Sequence, residues 1–373
     1  MQKKLRVGVV FGGRSGEHEV SLVSAASVIQ ALDKEKYEVV PIGITPEGRW
    51  ISSDRSLQLL KAKAGLEREP ERFLVPEPNR QALLAAEAGD GPALPLDVVF
   101  PVLHGTYGED GAVQGLLELA SIPYVGAGVL GSAVGMDKIA QKQILQREGF
   151  PLAKYLAFPS SAYERKPKGV LARLERHLRY PLFVKPANTG SSVGISKAHN
   201  RKELKAAIAL AAQYDRRVIV EQGFVNAREI ECAVLGNDAP IASVLGEIIP
   251  SNEFYDYEAK YVDGKSQALI PAPLPKALSS KIRVMAVRAF QAIDCAGMAR
   301  ADFFLSRRSQ RVYLNELNTI PGFTSISMYP KLWEATGMSY SALLDRLIAL
   351  ALERHRLMNG LRRAYTPARE WYR

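Results

Sequence analysis

Cysteine is nearly absent from this 373-residue chain, which holds two, Cys232 and Cys295. Both lie inside apolar segments at no metal-ligand spacing, so buried free thiols without a function are expected. Long hydrophobic runs are missing too. None approaches the roughly 18 residues of a membrane helix, and the first apolar stretch, 5–11, is too short for a signal peptide. A cytoplasmic protein with no membrane partner is the expectation. No internal repeat is visible. Negative charge is in deficit, with 39 Asp and Glu against 49 Lys and Arg, a formal net charge of +10. Such a balance admits a nucleic-acid partner, but no recognition motif or aromatic-basic interleaving accompanies it, so none is expected. Part of the excess lies in 353–373, where six arginines face two glutamates. That segment reads as a solvated basic tail continuing or following the last helix.

The length suffices for two or three domains, and 47% hydrophobic residues can fill their cores. Apolar runs alternate with amphipathic stretches. A buried strand at 5–11 is followed by a Gly turn and a helix over 19–32, with further strands at 37–45 and 97–103, as in an open α/β domain. Between them, 46–95 is rich in charge, Pro and Ala and reads as a surface insertion. A helix over 136–148 leads to a small central domain with strands at 182–186 and 218–224. Strands at 229–235 and 241–249, joined by a turn at Gly236-Asn237-Asp238, open a third. The domains are thus placed at 1–130, 131–221 and 222–373.

Two segments carry the chemistry. In VYLNELNTIPGFTSIS, 312–327, a strand places Glu316 and Asn318 on one face, because side chains two apart share a face. Upstream, MARADFFL, 298–305, repeats the spacing with Arg300 and Asp302. Asp302, Glu316 and Asn318 are three hard oxygen ligands of the kind Mg²⁺ needs when it is shared with phosphates; the alternative is a merely solvated strand face. In LFVKPANTGSSVGISK, 182–197, a strand bearing Lys185 enters a small-residue turn with Ser191 and Ser192. Glycines there let backbone approach a phosphate, although a plain turn fits as well. It is not a Walker loop, which places its Lys after the glycines and opens a helix.

Other candidates remain open on residues alone. VIVEQGF, 218–224, ends a strand where Glu221 could accept from an adenine amino group, yet Glu221 and Glu229 fit as edge-strand charges, and Lys138 as an exposed helix residue. Glu17, in GGRSGEHEVS, stands near a helix start, where it binds an ammonium or only complements the helix dipole. HGTYGEDG, 104–111, carries His104, Glu109 and Asp110 into the next helix. The polar, aromatic loop 250–267 has the length of a lid or a disordered segment.

These blocks, in this order, together with MDK at 136–138 and YDYEAKY at 255–261, resemble the ATP-grasp superfamily and, within it, the D-alanine:D-alanine ligase family. The resemblance runs over nearly the whole chain. It implies three α/β domains with the nucleotide between the central and C-terminal sheets, and ATP-dependent joining of two D-alanines through an acyl phosphate for peptidoglycan synthesis. It puts adenine against the segment that includes Glu221 and Phe224, Glu229 on the ribose, and Lys138, Lys185 and Ser192 on phosphates. Two Mg²⁺, or Mn²⁺, fall to Asp302, Glu316 and Asn318. Glu17 holds the first D-alanine's amino group, with His104 beside it. Tyr261 of the 250–267 lid bonds Ser191 and Glu17, Lys260 and Ser327 grip the second carboxylate, and Arg300 with the Gly322 N–H faces the oxyanion. A homodimer through the first domain is implied. A D-lactate or D-serine ligase, or a regulatory nucleotide-binding protein without turnover, are the rival readings.

Overall fold

The computed structural model describes residues 3–86, 92–249, 267–324, 326–362 and 365. The N-terminal part is built on β1 (Leu5–Gly12), β2 (Tyr37–Ile44), β3 (Trp50–Ile51), the short β4 (Arg72–Leu74), β5 (Ala82–Ala85) and β6 (Leu94–Pro95), and β7 (Val98–Pro101). One sheet has the order β3-β2-β1-β7, with β1, β2 and β7 parallel. The crossover from β1 to β2 is the helix His18–Ala31. Because β1 turns to β2 on one side and β7 on the other, the loops after β1 and β7 diverge at their C-terminal ends and open a crevice.

The 46–95 segment differs from the surface insertion its composition suggests. It holds β3, a helix Ser56–Ala62 and the antiparallel sheet β4-β5-β6, and it sends Leu74 and Leu83 into a core with Ile42, Val99 and Leu117. A minority of apolar residues suffices, because β5 runs antiparallel to both β4 and β6 and aims Leu83 inward.

The central sheet, order β10-β9-β11-β8, is antiparallel: β8 (Tyr155–Pro159), β9 (Leu182–Pro186), β10 (Ser196–Ala198) and β11 (Arg217–Gln222). The main sheet of the C-terminal part, called the third sheet after the large sheets of the first and central parts, has the order β14-β13-β12-β15-β16 and contains β12 (Ala227–Gly236), β13 (Ile241–Ile249), β14 (Gln267–Leu269), β15 (Gly297–Ser306) and β16 (Val312–Asn318).

The helix expected over 136–148 is Lys138–Arg147, and a separate helix, Val129–Met136, precedes it. Asp137 breaks them apart: its backbone is extended, and its Oδ1 accepts from the N–H groups of Ile139 and Ala140 at 3.0 and 2.9 Å, capping the second helix. That helix is tied to the third sheet by Gln141, whose amide accepts from Leu317 N at 2.9 Å and donates to Leu317 O at 3.1 Å. The edge of β16 is thereby covered rather than left open. At the other end of the chain, the helix Tyr340–Asn359 returns to the first sheet, where Asp345 accepts from Lys36 and Tyr37 at 2.7 and 2.8 Å. Val7 and Phe100 from the first sheet, with Trp333 and Leu347 from the C-terminal helices, fill one continuous core.

Candidate active site

A cavity of about 640 Å³ lies between the central and third sheets. Lys138, Lys185, Ser191, Ser192, Glu221, Phe224, Glu229, Arg300, Asp302, Glu316 and Asn318 all line it. The acidic wall follows from strand register. Asp302 stands opposite Glu316, and Arg300 opposite Asn318, across β15 and β16. The pairing jumps from Asp302–Glu316 to Phe303–Leu314, so Asn315 is the extra residue of a β-bulge. The bulge lets Leu314 and Leu317 both face the core while Glu316 and Asn318 face the cavity.

On β12, Glu231 lies opposite Asp302, so three carboxylates run in a row across three strands. Glu231 escapes the sequence reading, although it shares the alternating face of Glu229. Arg300 bridges this row: Nε and Nη2 donate to the two oxygens of Asp302, each at 2.7 Å, and Nε is 3.1 Å from Glu231. Asn318 Nδ2 donates to Asp302 Oδ2 at 2.9 Å.

No group of three or more His, Cys, Asp or Glu able to hold a metal occurs among the described residues. The donor set nevertheless fits Mg²⁺ shared with phosphates, since two carboxylates and an amide oxygen leave positions for substrate oxygens. It fits on two conditions set by the hydrogen bonds: Arg300 must yield one Asp302 oxygen, and the Asn318 amide must present Oδ1 in place of Nδ2.

The basic wall comes from β9 and the helix Lys138–Arg147. Lys185 Nζ donates to Glu221 Oε2 at 3.2 Å, and Lys138 Nζ donates to the Thr189 carbonyl of the small-residue loop. Burial lowers the Lys138 pKa below the ordinary lysine value, with Glu316 opposing. In the loop itself, Ser191 and Ser192 have φ of 42° and 63°. Two successive non-glycine residues in the left-handed region store strain of about 1 kcal/mol or more each, a cost usually found at binding loops.

The first domain reaches this cavity through Glu17. Its carboxylate accepts from Ser191 Oγ and is 6% exposed. It fits because glycines flank it: a Cβ on Gly190 would overlap Glu17 Oε2, and one on Gly105 would lie 2.5 Å from it. Gly190→Ala is therefore expected to displace Glu17 and lower turnover at this site about a hundredfold, the scale of a 1 Å misplacement. A melting temperature little changed beside that loss checks that the loop survives; turnover near wild type would place the Glu17 contact outside the chemistry.

His104 lies behind this loop and lines a second cavity, of about 290 Å³, rather than the first. Its carbonyl accepts from Ser15 Oγ at 2.7 Å, and its ring is 3.2 Å from Ser24 Oγ. Burial pushes the imidazole pKa down to about 4, a backbone hydrogen bond to Ile320 opposing. The unfolded chain takes up this proton near 6.5, so the contribution of His104 to stability is complete above 6.5 and is lost as pH falls toward 4. The Tm difference between wild type and His104→Gln should narrow over that window; a constant difference would mean the ring is solvated.

Glu109, from the same loop, lines the large cavity and joins the first domain to the segment after β16. It accepts from Gly105 N at 2.8 Å and Ile320 N at 3.2 Å. Burial and the charge of Glu17 push its carboxyl up to about 8.

The remaining site candidates divide. Phe224 packs against Phe304 and Tyr313, ring centroids 5.1 and 4.6 Å away, and so forms an aromatic end to the large cavity. Gly322 and Ser327 sit in the loop after β16 and do not line it; Ser327 Oγ instead accepts from Thr324 N at 3.0 Å. Lys260, Tyr261 and nearly all of the 250–267 loop lie outside the described residues, as do 363–364 and 366–373 of the basic tail. Cys232 and Cys295 are buried free thiols, and burial raises the pKa of Cys232 to about 12.

Residues 6–127 match the family described as D-ala D-ala ligase N-terminus, and 144–349 the family described as D-ala D-ala ligase C-terminus. A D-alanine--D-alanine ligase of Natranaerobius thermophilus is 52% identical over 352 residues, covering 94% of this chain and 96% of the relative. One of Caldicellulosiruptor bescii is 52% identical over 359 residues, covering 96% and 98%. Among solved structures, the D-alanine-D-alanine ligase from Coxiella burnetii superposes with a TM-score of 0.82 at 37% identity, covering 96% of each chain. The VanG D-Ala:D-Ser ligase from Enterococcus faecalis gives 0.82 and 37%, covering 94% of this chain and all of the other.

Proposed function

The chain belongs to the D-alanine–D-alanine ligase family, an ATP-grasp family of ATP-using ligases, and on that premise we propose that it joins two D-alanines through a D-alanyl phosphate to make a peptidoglycan precursor. The observation that carries this reading is the Glu17–Ser191 hydrogen bond. It brings an acid of the first domain, suited to an ammonium ion, to the mouth of a cavity walled by lysines on one side and carboxylates on the other.

In this reading the ammonium of the first D-alanine rests on Glu17, which aims its carboxylate at the γ-phosphate. Lys138 and Lys185 hold the phosphates, Ser192 donates to them, and adenine packs at Phe224 with its amino group toward Glu221 and its ribose toward Glu229. Asp302, Glu316 and Asn318 would hold Mg²⁺ or Mn²⁺, which when bound neutralises phosphate charge during in-line transfer. A carboxylate oxygen takes the phosphoryl group and ADP departs. The second D-alanine's amine, its own carboxylate held by Ser327 and Lys260, then attacks the acyl carbon. Arg300 and the Gly322 N–H stabilise the oxyanion until phosphate leaves with its electron pair. Tyr261 completes the enclosure, which keeps water from the acyl phosphate.

Phosphate release with D-alanine alone, with L-alanine alone, and with D-alanine plus D-serine or D-lactate tests the assignment. Turnover with D-alanine alone and none with L-alanine is expected. The likeness to VanG supports one second reading, D-serine as the second substrate; faster turnover in the D-serine mixture, with D-alanyl-D-serine as product, would establish it.

A homodimer through the first domain belongs to the same proposal. Leu119, Val129 and Leu130 are large apolar side chains exposed there. Leu130→Glu is expected to shift the mass measured by light scattering from two chains to one, and an unchanged mass would move the interface elsewhere.

A further inference from the structure

Lys142 is a buried cation that the mechanism above does not use. It stands four residues after Lys138 and one after Gln141, on the helix face turned toward β16. Its side chain is 3% exposed and Nζ lies 3.4 Å from Glu221 Oε2, the oxygen that also accepts from Lys185 at 3.2 Å. Nζ also donates to the carbonyl of Asn315, the bulge residue, at 3.0 Å. Lys142 thus ties β11 of one sheet to β16 of the other, while it does not itself line the cavity between them.

The other oxygen of Glu221, Oε1, is buried without a hydrogen-bond partner. A buried acceptor left unmatched is costly, and because Glu221 lines the cavity, a small rotation of its carboxyl brings Oε1 to a donor there. Lys185 is claimed both by Glu221 and, in the proposed function, by phosphates, whereas Lys142 is held away from them by Asn315. We propose that Lys142 is a positioning residue for nucleotide selection: it is the fixed counter-charge that holds Glu221, so that Oε1 accepts from the 6-amino group of a purine and rejects a 6-oxo purine. The proposal rests on the large cavity being the nucleotide site. Electrostatics agree with it. Burial alone pushes the Glu221 carboxyl up, but Lys142 and then Lys185 outweigh burial and hold it below the ordinary range.

The test compares ATP with ITP, which carries a 6-oxo group, in the full-length protein with D-alanine. Wild type should prefer ATP. Lys142→Met should lower the ATP-to-ITP ratio of kcat/KM roughly tenfold, the scale of one charged hydrogen bond, chiefly through KM for ATP. Lys142→Gln, which retains an N–H for Asn315 but no charge, should lose the same discrimination and serves if the Met variant does not fold. An equal loss with both nucleotides, an unchanged ratio, or a wild-type ratio in Lys142→Gln would each overturn the counter-charge role. Adding Lys142→Gln to Glu221→Gln should leave the ratio where Glu221→Gln alone puts it, and a further fall would overturn action through Glu221. If wild type shows no ATP-dependent turnover and no ATP binding, the nucleotide site itself is refuted, which no outcome in the variants alone could show.

Discussion

Glu316→Gln is expected to lower kcat by roughly a hundredfold or more while leaving the fold intact, since in the proposed function Glu316 holds the metal and such a loss costs at least as much as that of a residue supporting a ligand. The substitution keeps shape and removes one charge. Glu316 is half-buried on the cavity wall opposite Asp302, so its packing asks little of the ionised form, and its charge acts on the lysines and on any bound cation. Burial lowers the Lys138 pKa and Glu316 is the largest opposing influence, so the variant should also bind ATP less tightly. Circular dichroism and thermal melting report the fold, and kcat is measured at saturating Mg²⁺. Activity within roughly threefold of wild type there would remove Glu316 from the metal set.

Arg300→Ala is expected to have two separable effects. If Arg300 faces the oxyanion, kcat falls by about a hundredfold to a thousandfold, with a smaller change in KM for ATP. The variant should also lose stability, by about 3 kcal/mol, because Arg300 bridges Asp302 and the buried Glu231, and breaking a buried pair is costly. Adding Glu231→Gln distinguishes them: stability should return and kcat should not. Recovery of both would make Arg300 a structural bridge alone.

The acidic wall is legible in sequence because a strand's period of two assigns faces without knowledge of partners. Arg300 and Asp302, Glu316 and Asn318 all fall where that rule puts them, and register then brings the pairs opposite each other. Glu231 follows the same rule but lies on a strand whose neighbour cannot be read from spacing, so its place beside Asp302 depends on nonlocal pairing. Lys142 is harder still. Nothing in the run 138–147 sets it apart, and its burial depends on Glu221 of β11 and Asn315 of β16 meeting it.

The first-domain residues show the same limit. Glu17 reads as a helix-start acid, and the glycines that enclose it, Gly105 and Gly190, come from segments 85 residues apart in number. The helix expected from 136 starts two residues later, at Lys138, because Asp137 is extended and caps it. The 46–95 segment is hard to read for a compositional reason: most of its charges, Arg72 apart, are exposed or half-exposed, and the apolar residues that enter the core, such as Leu74 and Leu83, are too sparse to set a period.

Carboxylate activation by phosphoryl transfer is tested most directly by D-alanine labelled with ¹⁸O in its carboxylate. With ATP and the full-length protein, the released inorganic phosphate is analysed by mass spectrometry. The expected result is one ¹⁸O atom carried into phosphate for each dipeptide formed, because the oxygen that takes the phosphoryl group departs with it. Phosphate free of label, with dipeptide still formed, would contradict the acyl phosphate and the roles given to Glu17, Arg300 and the acidic wall.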